Sequence, residues 1–282
     1  MPETGFYNGK FLPTDSPCVQ MEDRGHQFGD GIYEVTRFYD GKLFAFDKHL
    51  SRLRRSLKEL ELGCPYSDEE IAGLHQELIK RSGIENGTVY MQITRGSAPR
   101  AHPFPDAAVN VAMNVRKFDA GLEAQQKGIA VIFTEDIRWL RCDIKSLNLL
   151  GNVLAKQAAH IAGAAEAIQY RRDTGHVTEG SSSNFFVVKD DALHTHPLSN
   201  LILNGVTRTL VLEECAPKLG IEVIEEPFST EYALSADEAF ATSTGLEVTP
   251  VISIDGQAIG NGQPGPITNQ LLAAYQKLVS ST

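Results

Sequence analysis

The chain is short of positive charge: 26 Lys and Arg stand against 36 Asp and Glu in 282 residues, a formal net charge of −10. That balance disfavours nucleic acid and anionic membranes as partners, because phosphate-backbone binding needs clustered Lys and Arg that displace counterions. It leaves room for a small anionic ligand in a local basic pocket. Cysteine is scarce as well. Cys18, Cys64, Cys142 and Cys215 are widely spaced with no Cys-x-x-Cys pair, the pattern of reduced thiols in a cytoplasmic protein rather than of a disulfide framework. No window approaches the ~20 apolar residues of a membrane span, and the N-terminus has neither the basic nor the apolar run of a secretory signal. With 42% hydrophobic residues the chain is globular, and at roughly 100–200 residues per domain its length predicts about two domains.

The first third reads as hairpins followed by helices. Asn8-Gly9 and Asp40-Gly41 are hairpin-turn signals, the second set between the strand-forming runs Ile32–Phe38 and Leu43–Phe46. Leu50, Leu53, Leu57 and Leu60 recur at helical spacing after Asp47, with Gly63 as the expected left-handed stop. Ser67 and Glu70 form a capping box ahead of Ile71, Leu74, Leu78 and Ile79, closed by Gly83. Val89, Met91 and Ile93 alternate with polar neighbours as a half-buried strand does. This order predicts a small N-terminal α+β domain over 1–118. Between Lys117 and Gly128 the periodicity is lost, and 119–127 is the expected interdomain linker. The larger C-terminal domain, 128–282, has strand candidates at Ile129–Thr134, Ala167–Tyr170, Phe185–Val188, Ile221–Ile224, Glu238–Ala241 and Val251–Ile254. Its helices are expected along the stripe Leu147, Leu150, Leu154, Ala158 and Ile161, over Thr207–Leu219, where Pro217 predicts an early end, and over Ile267–Val279. The fold class is mixed, α+β in the first domain and α+β or α/β in the second.

Several segments carry polar chemistry. Gly29-Asp-Gly31 is not a dinucleotide fingerprint, since Glu34 stands at the third glycine position and no buried strand precedes it. His194-Thr-His196 places two imidazoles on one strand face with no third ligand nearby, so a surface or interface pair is expected rather than a metal. Thr178-Glu-Gly-Ser-Ser-Ser-Asn184 offers hydroxyl and backbone donors to an anion or a cofactor edge, though a solvated linker has the same composition. Thr207 opens a helix after Asn204-Gly205-Val206, and Thr242-Ser-Thr-Gly245 follows a strand, each a place where free N–H groups meet a phosphate. Three such loops in one domain suggest a phosphorylated cofactor. Spacing does not single out Lys145 among twelve lysines; its turn between a strand-like segment and a long apolar helix is the kind of loop that carries function.

Four segments together carry a resemblance: Arg24-Gly-His-Gln-Phe-Gly-Asp-Gly-Ile-Tyr-Glu34, Thr94-Arg-Gly-Ser-Ala-Pro-Arg-Ala-His102, Glu135 through Gly151, and Thr178 through Asn184. Over essentially its whole length the chain resembles the D-amino-acid aminotransferases of the fold-type IV pyridoxal-phosphate enzymes. The resemblance implies two domains, the larger with a strand-rich, barrel-like core flanked by helices. It also implies pyridoxal 5'-phosphate as cofactor, no metal, and a homodimer whose site a partner loop completes. The implied reaction moves an amino group from a D-amino acid such as D-alanine to an α-keto acid such as 2-oxoglutarate, in two ping-pong half-reactions.

Residue by residue, the resemblance makes Lys145 the catalytic Schiff-base lysine and proton carrier, a role a desolvated Lys can fill and Arg cannot. Glu179 would keep the pyridine nitrogen protonated, so that the ring accepts electrons. Arg52, Val206, Thr207 and Thr244 would hold the phosphate, Ser182 and Ser183 would lie near the cofactor, and Leu203 would pack against its ring. Tyr33, Arg100 and His102 would trap the substrate α-carboxylate, Arg as a bidentate fork. Branched-chain aminotransferases usually carry Tyr five residues after the lysine, where this chain has Leu150, and that difference favours the D-specific reading. A branched-chain L-amino-acid or (R)-amine transaminase, a lyase acting on an aminated chorismate, and a catalytically silent pyridoxal-phosphate-binding protein are the alternatives.

Overall fold

The computed structural model describes residues 4–118 and 121–281. Two compact units make up the chain: Met1–Asp119 with Ile144–Asn148, and Ala120–Asp143 with Leu149–Thr282. Of the expected linker, residues 119 and 120 lie outside the described residues, as do 1–3 and 282 at the ends of the expected domains.

In the first unit β1 (Thr4–Tyr7) and β2 (Lys10–Pro13) form one hairpin. After α1 (Arg24–Phe28), β3 (Gly31–Tyr39) and β4 (Lys42–Leu43) form another. Asn8, Gly9, Asp40 and Gly41 have φ of 45°, 88°, 47° and 76°, the positive values that a two-residue hairpin loop demands and that Asn, Asp and Gly tolerate. Next come α2 (Phe46–Glu59), α3 (Asp68–Ser82), β5 (Gly87–Thr94) and β6 (Asn110–Lys117). The six strands form an antiparallel sheet in the order β2-β1-β6-β5-β3-β4. Leu53 and Leu57 of α2 and Ile71 and Leu78 of α3 pack with Ile32, Phe38, Val89, Met91 and Ile93 in its core. The Ser67–Glu70 capping box forms, and Gly83 ends α3 at φ 67°.

Two local expectations are corrected. The run Leu43–Phe46 is strand only to Leu43, because Phe46 already starts α2. The stop after α2 is Glu61, at φ 51°, and not Gly63. Leu62 is buried and its N–H donates to Leu57 O at 2.8 Å. That backbone bond and its apolar contact close the helix two residues sooner.

The second unit opens on α4 (Leu122–Lys127), β7 (Ile129–Glu135), α5 (Leu150–Ile161), β8 (Glu166–Tyr170), β9 (Val177–Gly180), β10 (Asn184–Lys189) and β11 (Ala192–Thr195). A continuous helical stretch follows: α6 (Val206–Leu210), a π turn at Val211–Cys215, and α7 (Ala216–Leu219). After β12 (Val223–Glu225) and α8 (Thr230–Leu234), the chain ends in β13 (Glu238–Ser243), β14 (Glu247–Ile254), β15 (Gln257–Ala258) and α9 (Pro266–Ser280). The nine-stranded mixed sheet runs β12-β11-β10-β13-β14-β7-β8-β9, with β15 on β14. β9 and β10 are far apart in that order yet separated by only three residues, and Gly180 N donates to Ser183 O at 2.7 Å. The sheet therefore curls, giving the barrel-like core expected.

Pro217 does not end its helix early. The π turn shifts the hydrogen-bond register just before the proline, whose missing N–H is then placed at the start of a fresh α turn. The stripe on α5 is reversed: Ala155 and Ala159 are buried against Ala167, while Leu150, Leu154 and Ile161 are 72%, 52% and 77% exposed. Small alanines let α5 approach β8 closely and leave the leucines outside. All four cysteines are free thiols, and among the described residues no helix is long and apolar enough to cross a membrane.

Candidate active site

Lys145 is held as an added edge on β3. Tyr33 N donates to Lys145 O at 2.9 Å, Leu147 N donates to Gly31 O at 3.0 Å, and Ile32 bridges Ser146. Lys145 N donates to Ser56 Oγ at 3.3 Å, and Nζ lies 4.2 Å from the Tyr33 ring centroid. Tyr33 also stacks on Tyr90, at 5.7 Å between centroids, and burial with the nearby Tyr33 pushes the Tyr90 phenol up to about 12. Ser56 is one helical turn from Arg52, so both lie on the same face of α2. Arg52 donates from Nε to Glu34 Oε2 at 3.0 Å and from Nη2 to Glu34 Oε1, which His49 Nδ1 meets at 2.9 Å. Burial alone would raise the Glu34 carboxyl, but Arg52 and His49 outweigh it and hold it far below the usual carboxylate range. Burial lowers His49, and Arg52 and Lys145 add to that against the pull of Glu34. The first unit thus brings Tyr33, Arg52 and Lys145 together around Glu34, His49 and Ser56.

Arg100 and His102 lie on an exposed loop between β5 and β6. They meet at Phe28: the Arg100 Cζ is 4.8 Å from that ring, and the His102 ring is 5.6 Å away. Among the described residues no hydrogen bond or ring contact joins either to Tyr33, whose ring partners are Tyr90 and Lys145. The expected carboxylate trap is therefore gathered as a pair and a single residue.

In the second unit Asn184 is the hub. Its Nδ2 donates to Glu179 Oε2 at 2.9 Å and to Leu203 O at 2.8 Å, and Leu203 N donates to the same Glu179 oxygen at 3.0 Å. A side chain at Gly205 would strike Asn184 Oδ1, so glycine lets α6 start, with Val206 and Thr207, directly beside this cluster. Asn184 pairs with Thr242 across β10 and β13, which puts the turn containing Thr244 near the same end. Glu179 Oε1 accepts from Arg138 Nη1 at 2.6 Å. Arg138 is shared with Asp136, donating from Nε at 2.9 Å and Nη2 at 2.8 Å. Burial raises the Glu179 carboxyl above its ordinary range, with Arg138 and the Leu203 N–H opposing. The hydroxyls of Ser181, Ser182 and Ser183 all donate to Glu166, Ser182 at 2.8 Å and Ser183 at 3.3 Å to Oε2. Sequence reasoning missed Glu34, Arg138, Glu166 and Asn184. The available signal was a carboxylate set inside or at the head of an apolar strand, as at Glu34 and Glu166, since a buried charge needs a partner.

His194 and His196 do not form a pair: His194 Nε2 lies 3.2 Å from Tyr232 Oη, while His196 is buried with Nδ1 on Pro197 O at 2.7 Å. No metal-ligating group of three is found among the described residues.

A family model described as amino-transferase class IV matches residues 31–254. This chain belongs to the class IV aminotransferases. It is 47% identical over 278 residues to a D-alanine aminotransferase of Staphylococcus haemolyticus, covering 98% of each chain. It is 44% identical over 277 residues to one of Bacillus licheniformis, covering 98% of this chain and 96% of that protein. Among solved structures, a branched-chain amino acid aminotransferase from T.th., with pyridoxamine 5'-phosphate, superposes at TM-score 0.92 and 29% identity, covering 100% and 95% of the chains. One from Escherichia coli superposes at 0.88 and 26%, covering 99% and 94%. These neighbours establish fold type IV. The first unit presents a lysine amine, an arginine and a tyrosine. The second presents a buried carboxylate beside a helix start.

Proposed function

We propose that this chain moves the amino group of a D-amino acid such as D-alanine to an α-keto acid such as 2-oxoglutarate, giving pyruvate and D-glutamate, with pyridoxal 5'-phosphate as cofactor. The observation that carries the reading is 46–48% identity to D-alanine aminotransferases over 98% of both chains. The donor set fits the cofactor. The helix start at Val206 has no side-chain cap, so its first N–H groups can meet a phosphate. Thr242 Oγ1 is buried with no hydrogen-bond partner among the described residues, on the strand that leads to Thr244. When bound, the cofactor supplies a ring that accepts the electron pair left as a Cα proton departs.

The chain's own residues supply the rest. Arg52, Val206, Thr207 and Thr244 hold the phosphate, Leu203 packs on the ring, and Ser182 and Ser183 sit near it in a loop that Glu166 keeps folded. Glu179 holds the ring-nitrogen proton. Lys145 Nζ takes the Cα proton and gives it up again as the amino group is exchanged. Arg100 and His102 bind the α-carboxylate with Tyr33. The site is completed by the loop of a second copy in a cytoplasmic homodimer. The exposed apolar face of α5, with Leu150, Val153, Leu154 and Ile161, supports such a partner.

The test is to incubate the yellow holoenzyme separately with D-alanine, L-leucine and an (R)-amine. Loss of the visible cofactor band with D-alanine alone is the expected result. Loss with L-leucine or the amine alone would move the chain to the corresponding transaminases, and no change with any of the three would leave a silent binding protein.

A further inference from the structure

We infer that Arg24 positions the Arg100–His102 loop for carboxylate recognition, an inference that rests on the reading of those two residues as the carboxylate trap. Arg24 is 4% exposed. Its Nη1 donates to Ala101 O and its Nη2 to His102 O, the latter at 3.1 Å. One guanidinium thus grips two consecutive carbonyls inside the loop. Nε donates to Asp30 Oδ2 at 2.8 Å, so all three nitrogens of the fork are engaged. A planar, permanently charged fork is suited to this, whereas a lysine ammonium reaches only as a point charge.

The ring of Phe28, one turn further along α1, ties the side chains to the same anchor. Arg24 Cζ and Arg100 Cζ each lie 4.8 Å from its centroid, and the His102 ring is 5.6 Å away. Arg24 is itself fixed to the sheet. Asp30 also accepts from Arg95 Nε, at 2.9 Å to Oδ2, and Arg95 Nη2 donates to Leu60 O at 2.7 Å beyond the end of α2. Asp23, before Arg24, accepts from Gly25 N at 2.7 Å, Thr94 Oγ1 at 3.0 Å and Asn110 Nδ2 at 2.7 Å. Arg100, Ala101, His102, Pro103 and Phe104 are all exposed, so the loop has little burial of its own to order it. Arg24 holds the Ala101 and His102 carbonyls from below, while Arg95 Cζ, 3.5 Å from the Phe104 ring centroid, holds the loop's far end.

Since one trap serves both half-reactions, loosening it weakens amino acid and keto acid alike. Arg24→Met should raise KM for D-alanine and for 2-oxoglutarate by about tenfold or more, with Arg24→Lys intermediate. In both variants kcat should change much less, and the visible cofactor band and cofactor affinity should stay as in the parent. Amide hydrogen exchange should quicken over 97–105 and not over β3 or β5. Arg100→Ala runs beside them. A raised KM in Arg100→Ala with none in either Arg24 variant would overturn the positioning role. An unchanged KM in Arg100→Ala would remove the trap reading itself. Exchange that quickens throughout the first unit would make Arg24 a general structural residue and overturn the inference. Should Arg24→Met fold poorly, Arg24→Lys carries the test, and an unchanged KM and loop exchange in that variant would overturn the inference; Phe28→Leu, which removes the ring shared by Arg24, Arg100 and His102 without touching the ion pairs, is expected to raise both KM values by a smaller factor.

Discussion

Glu34 and Glu179 are both buried carboxylates paired with an arginine, yet their surroundings shift them in opposite directions. Glu34 has Arg52 on both oxygens and His49 besides. Glu179 shares Arg138 with Asp136, and its other oxygen is met by an amide N–H and a side-chain amide. The sharing decides the matter: Asp136 draws most of the guanidinium, is itself lowered by it, and adds a second negative charge near Glu179. One carboxylate is a structural anion fully spoken for by its own unit. The other is left with less positive charge than its burial demands, which is compatible with the role proposed for it beside a protonated ring nitrogen.

The sharpest break in that comparison is Glu179→Gln. It should slow turnover by about 10²-fold or more, because a neutral amide cannot hold the ring nitrogen protonated. It should not destabilise the fold. A carboxyl raised by burial costs stability at every pH above its unfolded value, since the unfolded state is then ionised at no desolvation cost. Removing the charge relieves that cost and leaves Arg138 paired with Asp136. Single-turnover rates with D-alanine and thermal unfolding at pH 7 check both halves; a melting point several degrees lower would mean that Glu179 is anchored as Glu34 is.

Glu34→Gln is the converse. The lowered carboxyl contributes stability that is present above its unfolded pKa and lost as pH falls through its folded one. The substitution should therefore destabilise at pH 7, by about 3 kcal/mol, because it strands Arg52 and His49 in a buried place. Cofactor affinity should fall as well, since Arg52 loses the carboxylate that orients it. Denaturant unfolding and equilibrium cofactor titration are the measurements. Unchanged stability would show that Arg52 finds another anion.

What the sequence made legible was local. The turns at Asn8-Gly9 and Asp40-Gly41, the capping box at Ser67 and Glu70, and the alternation through Val89, Met91 and Ile93 each depend on residues within a few positions of one another, so sequence spacing reports them. The stop at Glu61 was missed because a buried Leu62 outweighed the conformational freedom of Gly63. The outward face of α5 was missed because helical periodicity identifies an apolar stripe without saying what covers it. The candidate site residues were reached through resemblance. Their supports were not, because Glu34 meets Arg52 18 positions away, Arg138 meets Glu179 41 away, and Arg24 meets Ala101 77 away. Such pairs are products of sheet order and helix packing, and no short-range pattern encodes them.

The smallest effect concerns the apolar side of the Glu34 cluster. His75, 2% exposed, gives Nδ1 to Ile71 O at 2.8 Å and packs edge-on against Phe46. Burial, reinforced by His49 and only partly opposed by the Ile71 carbonyl and Glu34, lowers it to about 4. Between its unfolded value near 6.5 and that folded value, the unfolded chain binds a proton that the folded chain refuses. Stability must therefore fall as pH drops through this window, by on the order of 1–2 kcal/mol between pH 6.5 and 5 from His75 alone, and His49, shifted the same way, adds to the slope. His75→Met should flatten the pH dependence of the unfolding free energy over this range without changing turnover at pH 8. A slope as steep as the parent's would place the proton uptake on His49 and tie the acid sensitivity of the first unit to the Glu34 cluster itself.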